Sequence, residues 1–310
     1  MKIGIRLCAI ALTCFLLSNV RTRADTVYVT GYFNGSLGII PSTGSPHTLT
    51  GFNGPSGLAL DGSGNLYLSN YGSATINKIS NPSGVSPTIS VFASGLDCPV
   101  GLAFDTSGNL FVANNSTGAI DKIDPQGNKS LFATVPWQTS GWVLGLAFDQ
   151  AGYLYVSTSG SSGGPAFGGP GYILQFDNHS NVVSSFRSGI VAPVGLAIDT
   201  SGNLYATDAI GGTIEKFITP STHGLASPTV LTSGLSYPSG IGIDSGGNFY
   251  VAGLNDFYEV NSGGQLISNS SRTGLPYAIA VQVPEPATWA LVALGGVALL
   301  HNHRTRRRPS

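Results

Sequence analysis

The chain has 310 residues, of which 9% are charged and 42% apolar, against a usual charged share of about 25%. That excludes a coiled coil, an acidic tail and a charge-driven disordered chain, and a net charge of −1 argues against the basic face that nucleic-acid binding needs. Its 43 glycines and 18 prolines make turns dense while the apolar share still supplies a core, a combination that favours many short strands.

Lys2 and Arg6 precede an apolar stretch from Leu7 to Val20, and Thr22-Arg23-Ala24 offers small residues where a signal peptidase reads. Residues 1–24 are expected to be a signal peptide, because the stretch falls short of the ~20 residues a spanning helix needs. Cleavage removes Cys8 and Cys14 and leaves Cys98 as the one cysteine of the mature chain, so no internal disulfide is expected. With no histidine beside it in the sequence, Cys98 reads as a small buried or loop thiol rather than a nucleophile.

The body is a repeat. Pro55-Ser56-Gly57-Leu58-Ala59-Leu60-Asp61 followed by Gly64-Asn65-Leu66-Tyr67-Leu68 returns as Pro99 to Val112, Gly145 to Val156, Pro193 to Tyr205 and Pro238 to Val251. The equivalent glycines, Gly57, Gly101, Gly145, Gly195 and Gly240, are spaced by 44, 44, 50 and 45 residues. Each unit reads as a strand, an Asp-x-x-Gly-Asn turn, a second strand, a third such as Thr75 to Ile79 or Thr213 to Phe217, and a fourth such as Thr88 to Phe92 or Thr229 to Thr232. Four strands in ~44 residues is a propeller blade. Gly57 and Ala59 fall on one face of the first strand and Leu58 and Leu60 on the other, which suits an inner strand packed between neighbouring blades.

A further unit is split. Pro276 to Val281 reads as a first strand, and its missing partners stand at the other end of the body as Thr26 to Thr30, Gly35 to Ile40 and His47 to Thr50. The expected fold is therefore all-β, a six-bladed propeller over residues 25–282 whose N- and C-terminal strands close the sixth blade; five blades with frayed ends is the alternative. The Gly-Leu-Ala-x-Asp…Gly-Asn-Leu-Tyr-Val pattern resembles the NHL repeat family over residues 55–281. Trp137, Trp142 and Trp289 are not followed by Asp, unlike the tryptophan-aspartate propellers.

Asp61, Asp105, Asp149, Asp199 and Asp244 read as turn-forming residues that bond their own backbone. Ligand candidates are sought where the symmetry breaks, in the loops entering each first strand and those linking second to third strands: Tyr71, Asn115, Trp142, Tyr237 and Asn255, with Asn34, Asp97, Asp256 and Tyr277 beside them. The Gly-, Ser- and Pro-rich stretch Ser159 to Gly171 accounts for the 50-residue step and reads either as a flap over that face or as a tolerated insertion. Six-bladed relatives of this pattern include the gluconolactonase-type hydrolases and the virginiamycin B lyases. Resemblance to the former places Asn70, Asn114 and Asp208 at metal positions, where amide and carboxylate oxygens would suit Ca²⁺. The match is incomplete, since Glu215 and Glu259 sit in third strands, and His47, His179 and His223 show no pairing with an orienting acid.

After the body, Val283-Pro284-Glu285-Pro286 leads into an apolar run from Ala287 to Leu300 and then Arg304, Arg306, Arg307 and Arg308. The run is expected to be a short transmembrane helix over 287–300 with its arginines in the cytoplasm and the body on the outer side of the inner membrane. This tail, residues 283–310, resembles the PEP-CTERM sorting signal of Gram-negative bacteria. The resemblance implies processing by signal peptidase and an exosortase, transit at the inner membrane and delivery to the cell surface or matrix. With both ends set aside, six basic and 14 acidic residues remain over 25–283, a net charge of −8. The expected function is a non-enzymatic binding module with a polysaccharide or protein ligand and no certain cofactor; the alternative is a metal-dependent extracellular hydrolase or lyase.

Overall fold

The computed structural model describes residues 25–41, 44–135, 142–160, 169–186, 190–218, 227–271 and 276–282. The expected signal peptide over residues 1–24, Pro284, Glu285, Pro286, the run 287–300, the terminal arginines and His223 lie outside the described residues. Within them, 24 strands form six antiparallel sheets of four, the blades of one propeller.

Residues 55–93 show how a blade is specified. Its strands are Pro55–Leu60, Leu66–Asn70, Thr75–Ser80 and Thr88–Ala93, paired in chain order. Asp61 makes the first turn: its Oδ1 accepts the N–H groups of Ser63 and Asn65 at 2.9 Å, and its Oδ2 accepts Asn65 Nδ2 at 2.8 Å. Asp105, Asp199 and Asp244 repeat all three bonds, and Asp149, which has Tyr153 in place of the asparagine, keeps the two to backbone. The same device closes third-to-fourth-strand turns at Asp124, Asp177 and Asn261, a second series that the sequence pattern had not disclosed.

The split blade closes as expected, in the order Pro276–Gln282, Thr26–Gly31, Ser36–Ile40, His47–Thr50. Val27 pairs with Val281, Tyr28 with Ala280 and Val29 with Ile279, and the Tyr28 hydroxyl donates to Gln282 Oε1 at 2.7 Å. The third of these strands starts at Ser36 rather than Gly35, because Gly35 has φ 60° and belongs to the hairpin turn. In the fourth blade, Leu154–Gly160 and Gly169–Phe176 extend into the expected insertion from both sides, and residues 161–168 lie outside the described residues.

The core is divided among the joints between blades. Six clusters each draw on two neighbouring sheets: Ala59 and Tyr67 of one blade pack with Leu102, Leu110 and Val112 of the next, while Leu58 packs the other way against Tyr28, Leu37 and Ile39. The two faces of the first strand thus serve two different joints. Nearest the axis the joints need glycine. A Cβ on Gly57 would stand 1.8 Å from the Val100 carbonyl oxygen of the next blade, and on Gly101 2.0 Å from that of Leu144. Hydroxyls bolt three of these contacts: Ser69 Oγ accepts Gly57 N–H at 2.6 Å and donates to Val100 O at 2.8 Å, and Ser157 and Thr207 do the same for Gly145 with Val194 and Gly195 with Ser239.

Candidate functional site

Every first strand enters at one end of the axis and runs toward the Asp-turn end. The residue after the entering position, Ser56, Val100, Leu144, Val194, Ser239 and Tyr277 in the six blades, forms a ring. Below the ring a channel of about 80 Å³ is lined by Gly57, Gly101, Gly145, Gly195 and Gly240 and their neighbours. Above it opens a cavity of about 420 Å³, within the size range of small-ligand sites. Tyr32, Phe33, Tyr71, Trp142, Tyr237 and Leu254 wall the cavity, with Asn115 as the one side-chain amide among the described lining residues.

Four of the five ligand-face candidates, Tyr71, Asn115, Trp142 and Tyr237, come together in this wall; Asn255 does not line it. Asn115 Nδ2 donates to the Val143 carbonyl at 3.3 Å, which fixes the amide across a blade joint. Tyr32, Phe33 and Leu254 had no reading in the sequence. Their signal was positional, since Tyr32, Tyr71, Asn115 and Leu254 occupy the same place in the repeat, just past the second strand.

The aromatic wall is built as a unit. The Tyr32 ring centroid lies 5.9 Å from that of Tyr71, 5.8 Å from Tyr277 and 5.1 Å from Phe33. Tyr237 is 53% exposed and holds φ 45°, although it precedes Pro238. Gly54 and Cys98, which precede Pro55 and Pro99, are also left-handed, and only the glycine is free of strain there. The left-handed turn thus recurs in three blades, and in one of them Tyr237 carries a large exposed ring on it.

Among the described residues that line it there is no acid, lysine, arginine or histidine. The Tyr32, Tyr71 and Tyr277 phenols stay neutral as well: burial, with the Tyr32 and Tyr71 phenols nearby, pushes Tyr277 up to about 12. Burial and a hydrogen bond with the Cys98 thiol raise Tyr71, and burial raises Tyr32. Ser56 and Ser239 spend their protons on the Pro99 and Tyr277 carbonyls, at 2.9 and 3.0 Å. A mouth whose described lining carries no charge, in a body of −8, suits a neutral, largely apolar ligand.

Asn70, Asn114 and Asp208 stand one residue behind the wall, each at most 2% exposed, and each ties down the loop 17 residues earlier. Asn70 Oδ1 accepts Asn53 N–H at 3.2 Å, Asn114 Oδ1 accepts Asp97 N–H at 2.9 Å, and Asp208 Oδ2 accepts Val191 N–H at 2.7 Å. Asp208 Oδ1 takes three more N–H groups, from Ala192, Ile210 and Gly211. Every oxygen the Ca²⁺ reading would use already accepts backbone N–H. Among the described residues no three His, Cys, Asp or Glu side chains converge as a metal-binding group. Glu215 is in a third strand, as its sequence position implies, but it is 4% exposed, and burial followed by the Asp208 charge raises its pKa.

In sequence, residues 282–307 match the PEP-CTERM protein-sorting motif, while no curated protein matches the chain. In structure, the chain is similar to a virginiamycin B lyase from Staphylococcus aureus (TM-score 0.59, 13% identity, 84% of this chain and 89% of that one). It is also similar to a gluconolactonase from Xanthomonas campestris (TM-score 0.60, 16% identity, 72% and 78%). At these identities the likeness is one of fold. The chain is therefore a six-bladed β-propeller followed by a PEP-CTERM sorting motif, which implies export, membrane-anchored transit and processing by an exosortase.

Proposed function

We propose that this protein is an exported, non-enzymatic binding module, with NHL-like blades, that holds a neutral ring-bearing group of an extracellular polysaccharide or protein in the aromatic mouth. The observation that carries this reading is the cavity of about 420 Å³ walled by Tyr32, Tyr71, Trp142, Tyr237 and Tyr277, with no charged side chain among its described lining residues. Aromatic rings supply large contact area at low entropic cost, and the exposed rings of Trp142 and Tyr237 are placed to cover an incoming ligand. The sorting motif supports delivery of that mouth to the cell surface or matrix.

The second reading, a metal-dependent hydrolase or lyase, is favoured by the names of the structural neighbours. A histidine-to-alanine form of the virginiamycin B lyase is described as catalytically inactive. Here no histidine is among the described residues that line the cavity, and Ca²⁺ at Asn70, Asn114 and Asp208 would have to compete with the backbone N–H groups those residues hold. Titration with Nile red, a neutral ring-bearing probe, tests the binding reading. One-to-one binding that is lost in Trp142→Ser and Tyr237→Ser is expected. Absence of binding, or binding unchanged in both variants, would sink it.

A further inference from the structure

The mouth gathers exposed apolar side chains, Phe33, Trp142, Val191, Ile210, Tyr237 and Leu254, at one end of the propeller. In a protein with a membrane-directed tail, such a face invites a membrane-docking reading. The path of the chain says otherwise. Thr26 pairs with Gln282, so the body begins and ends at the same level of one blade. That level is the Asp-turn end: a Cβ on Gly64, in the Asp61 turn, would lie 2.7 Å from Gln282 Nε2, and Asp25 Oδ2 accepts the N–H of Ser245, in the Asp244 turn, at 2.7 Å. Tyr277, in the mouth, is the second residue of the strand that Gln282 finishes, about 17 Å away at the usual strand rise.

We propose that, while the sorting tail holds the chain at the membrane, the propeller stands on its Asp-turn end with the aromatic mouth directed away from the bilayer. Between Gln282 and the apolar run at Ala287 there are four residues, two of them proline, which reach about 17 Å when fully extended. That link is used up in regaining the level of the mouth along the outside of a blade, and leaves nothing for crossing the blade's width. Laying the mouth on the lipid would also require the run to enter the bilayer from the far side of the domain. The end turned toward the membrane carries Asp61, Asp105, Asp149, Asp199 and Asp244, and among the described residues its most exposed apolar side chains, Val85 and Ile218, stand in separate blades. The partner that the mouth meets in the anchored state is thus carried in the aqueous phase or matrix, and is not a membrane lipid.

This orientation holds whatever group the mouth binds, so its test is independent of ligand binding. The full chain, tail included, is reconstituted in phosphatidylcholine vesicles carrying an energy-transfer acceptor on the lipid headgroups. p-Azidophenylalanine replaces Ser63, exposed in an Asp turn, or Ile210, exposed at the mouth, and each is coupled to the same donor dye. Stronger transfer from position 63 than from position 210 is expected. Equal transfer, or stronger transfer from position 210, overturns the proposal. The melting temperature of each labelled protein in detergent shows that neither substitution unfolds the body.

Discussion

Tyr258 reaches into space that Gly253 leaves empty: its hydroxyl accepts the Ser236 N–H at 2.9 Å, and a Cβ on Gly253 would lie 2.7 Å from its Cε2. Ser236 and Gly253 are 17 residues apart, like Asn53 and Asn70, Asp97 and Asn114, and Val191 and Asp208, whose side chains do this work elsewhere. The third strand has taken over a bond that the second strand makes in other blades. Tyr258→Phe strands the Ser236 N–H and is expected to cost about 1–2 kcal/mol. Gly253→Ala is expected to cost about 1–3 kcal/mol, since the Ser236 carbonyl closes the other side at 2.7 Å. Urea unfolding of both variants checks this.

The hydroxyl bolts give a second expectation. Ser69→Ala removes an acceptor for Gly57 N–H and a donor for Val100 O from a fully buried site, and is expected to lower stability by about 1–3 kcal/mol. Gly57→Ala should cost more, because the new carbon would meet backbone rather than a movable side chain. Thermal unfolding of the two variants side by side ranks them.

Tyr237→Gly separates binding from stability. Removing the side chain relieves a left-handed strain of about 1–2 kcal/mol and offsets the extra freedom glycine gives the unfolded chain. The variant is expected to melt no lower than wild type while losing Nile red binding, as read by a thermal melt and a fluorescence titration.

Two sets of carboxyls give opposite pH dependence. The Asn128 amide and backbone N–H groups hold Asp124 below the ordinary carboxylate range, and Asn181 does so for Asp177. Burial works to raise Asp199, yet its bonds from Asn203 and Tyr205 leave it lowered. Stability from these turns is present above about pH 3.9 and is lost as pH falls through the lowered values. Glu215 is raised by burial, so its contribution is present below about pH 4.3 and is lost as pH rises. Glu215→Gln is therefore expected to be more stable than wild type at pH 7, with the gain disappearing near pH 4 in a series of urea titrations.

The blades, their closure and the Asp turns were legible in the sequence because each repeats a local rule: alternation in Pro55–Leu60, turn chemistry at Asp61, a missing strand supplied by Pro276–Gln282. The mouth was legible in part. Tyr71, Asn115, Trp142 and Tyr237 could be placed by loop position, but Tyr32 and Leu254 sit at the same place in blades where the Gly-Asn-Leu-Tyr pattern has drifted. Asn70, Asn114 and Asp208 look like ligands in sequence because the backbone N–H groups they hold lie 17 residues away, a separation that no local motif records.

The most direct test of a neutral-ligand mouth is the melting temperature of residues 25–282, measured with EDTA, with Ca²⁺ and with saturating Nile red. Binding at 100 times the dissociation constant stabilises by about 2.7 kcal/mol. A rise with Nile red and equal values in EDTA and Ca²⁺ are expected. A rise with Ca²⁺ and none with Nile red would contradict the binding reading and favour the metal-dependent one.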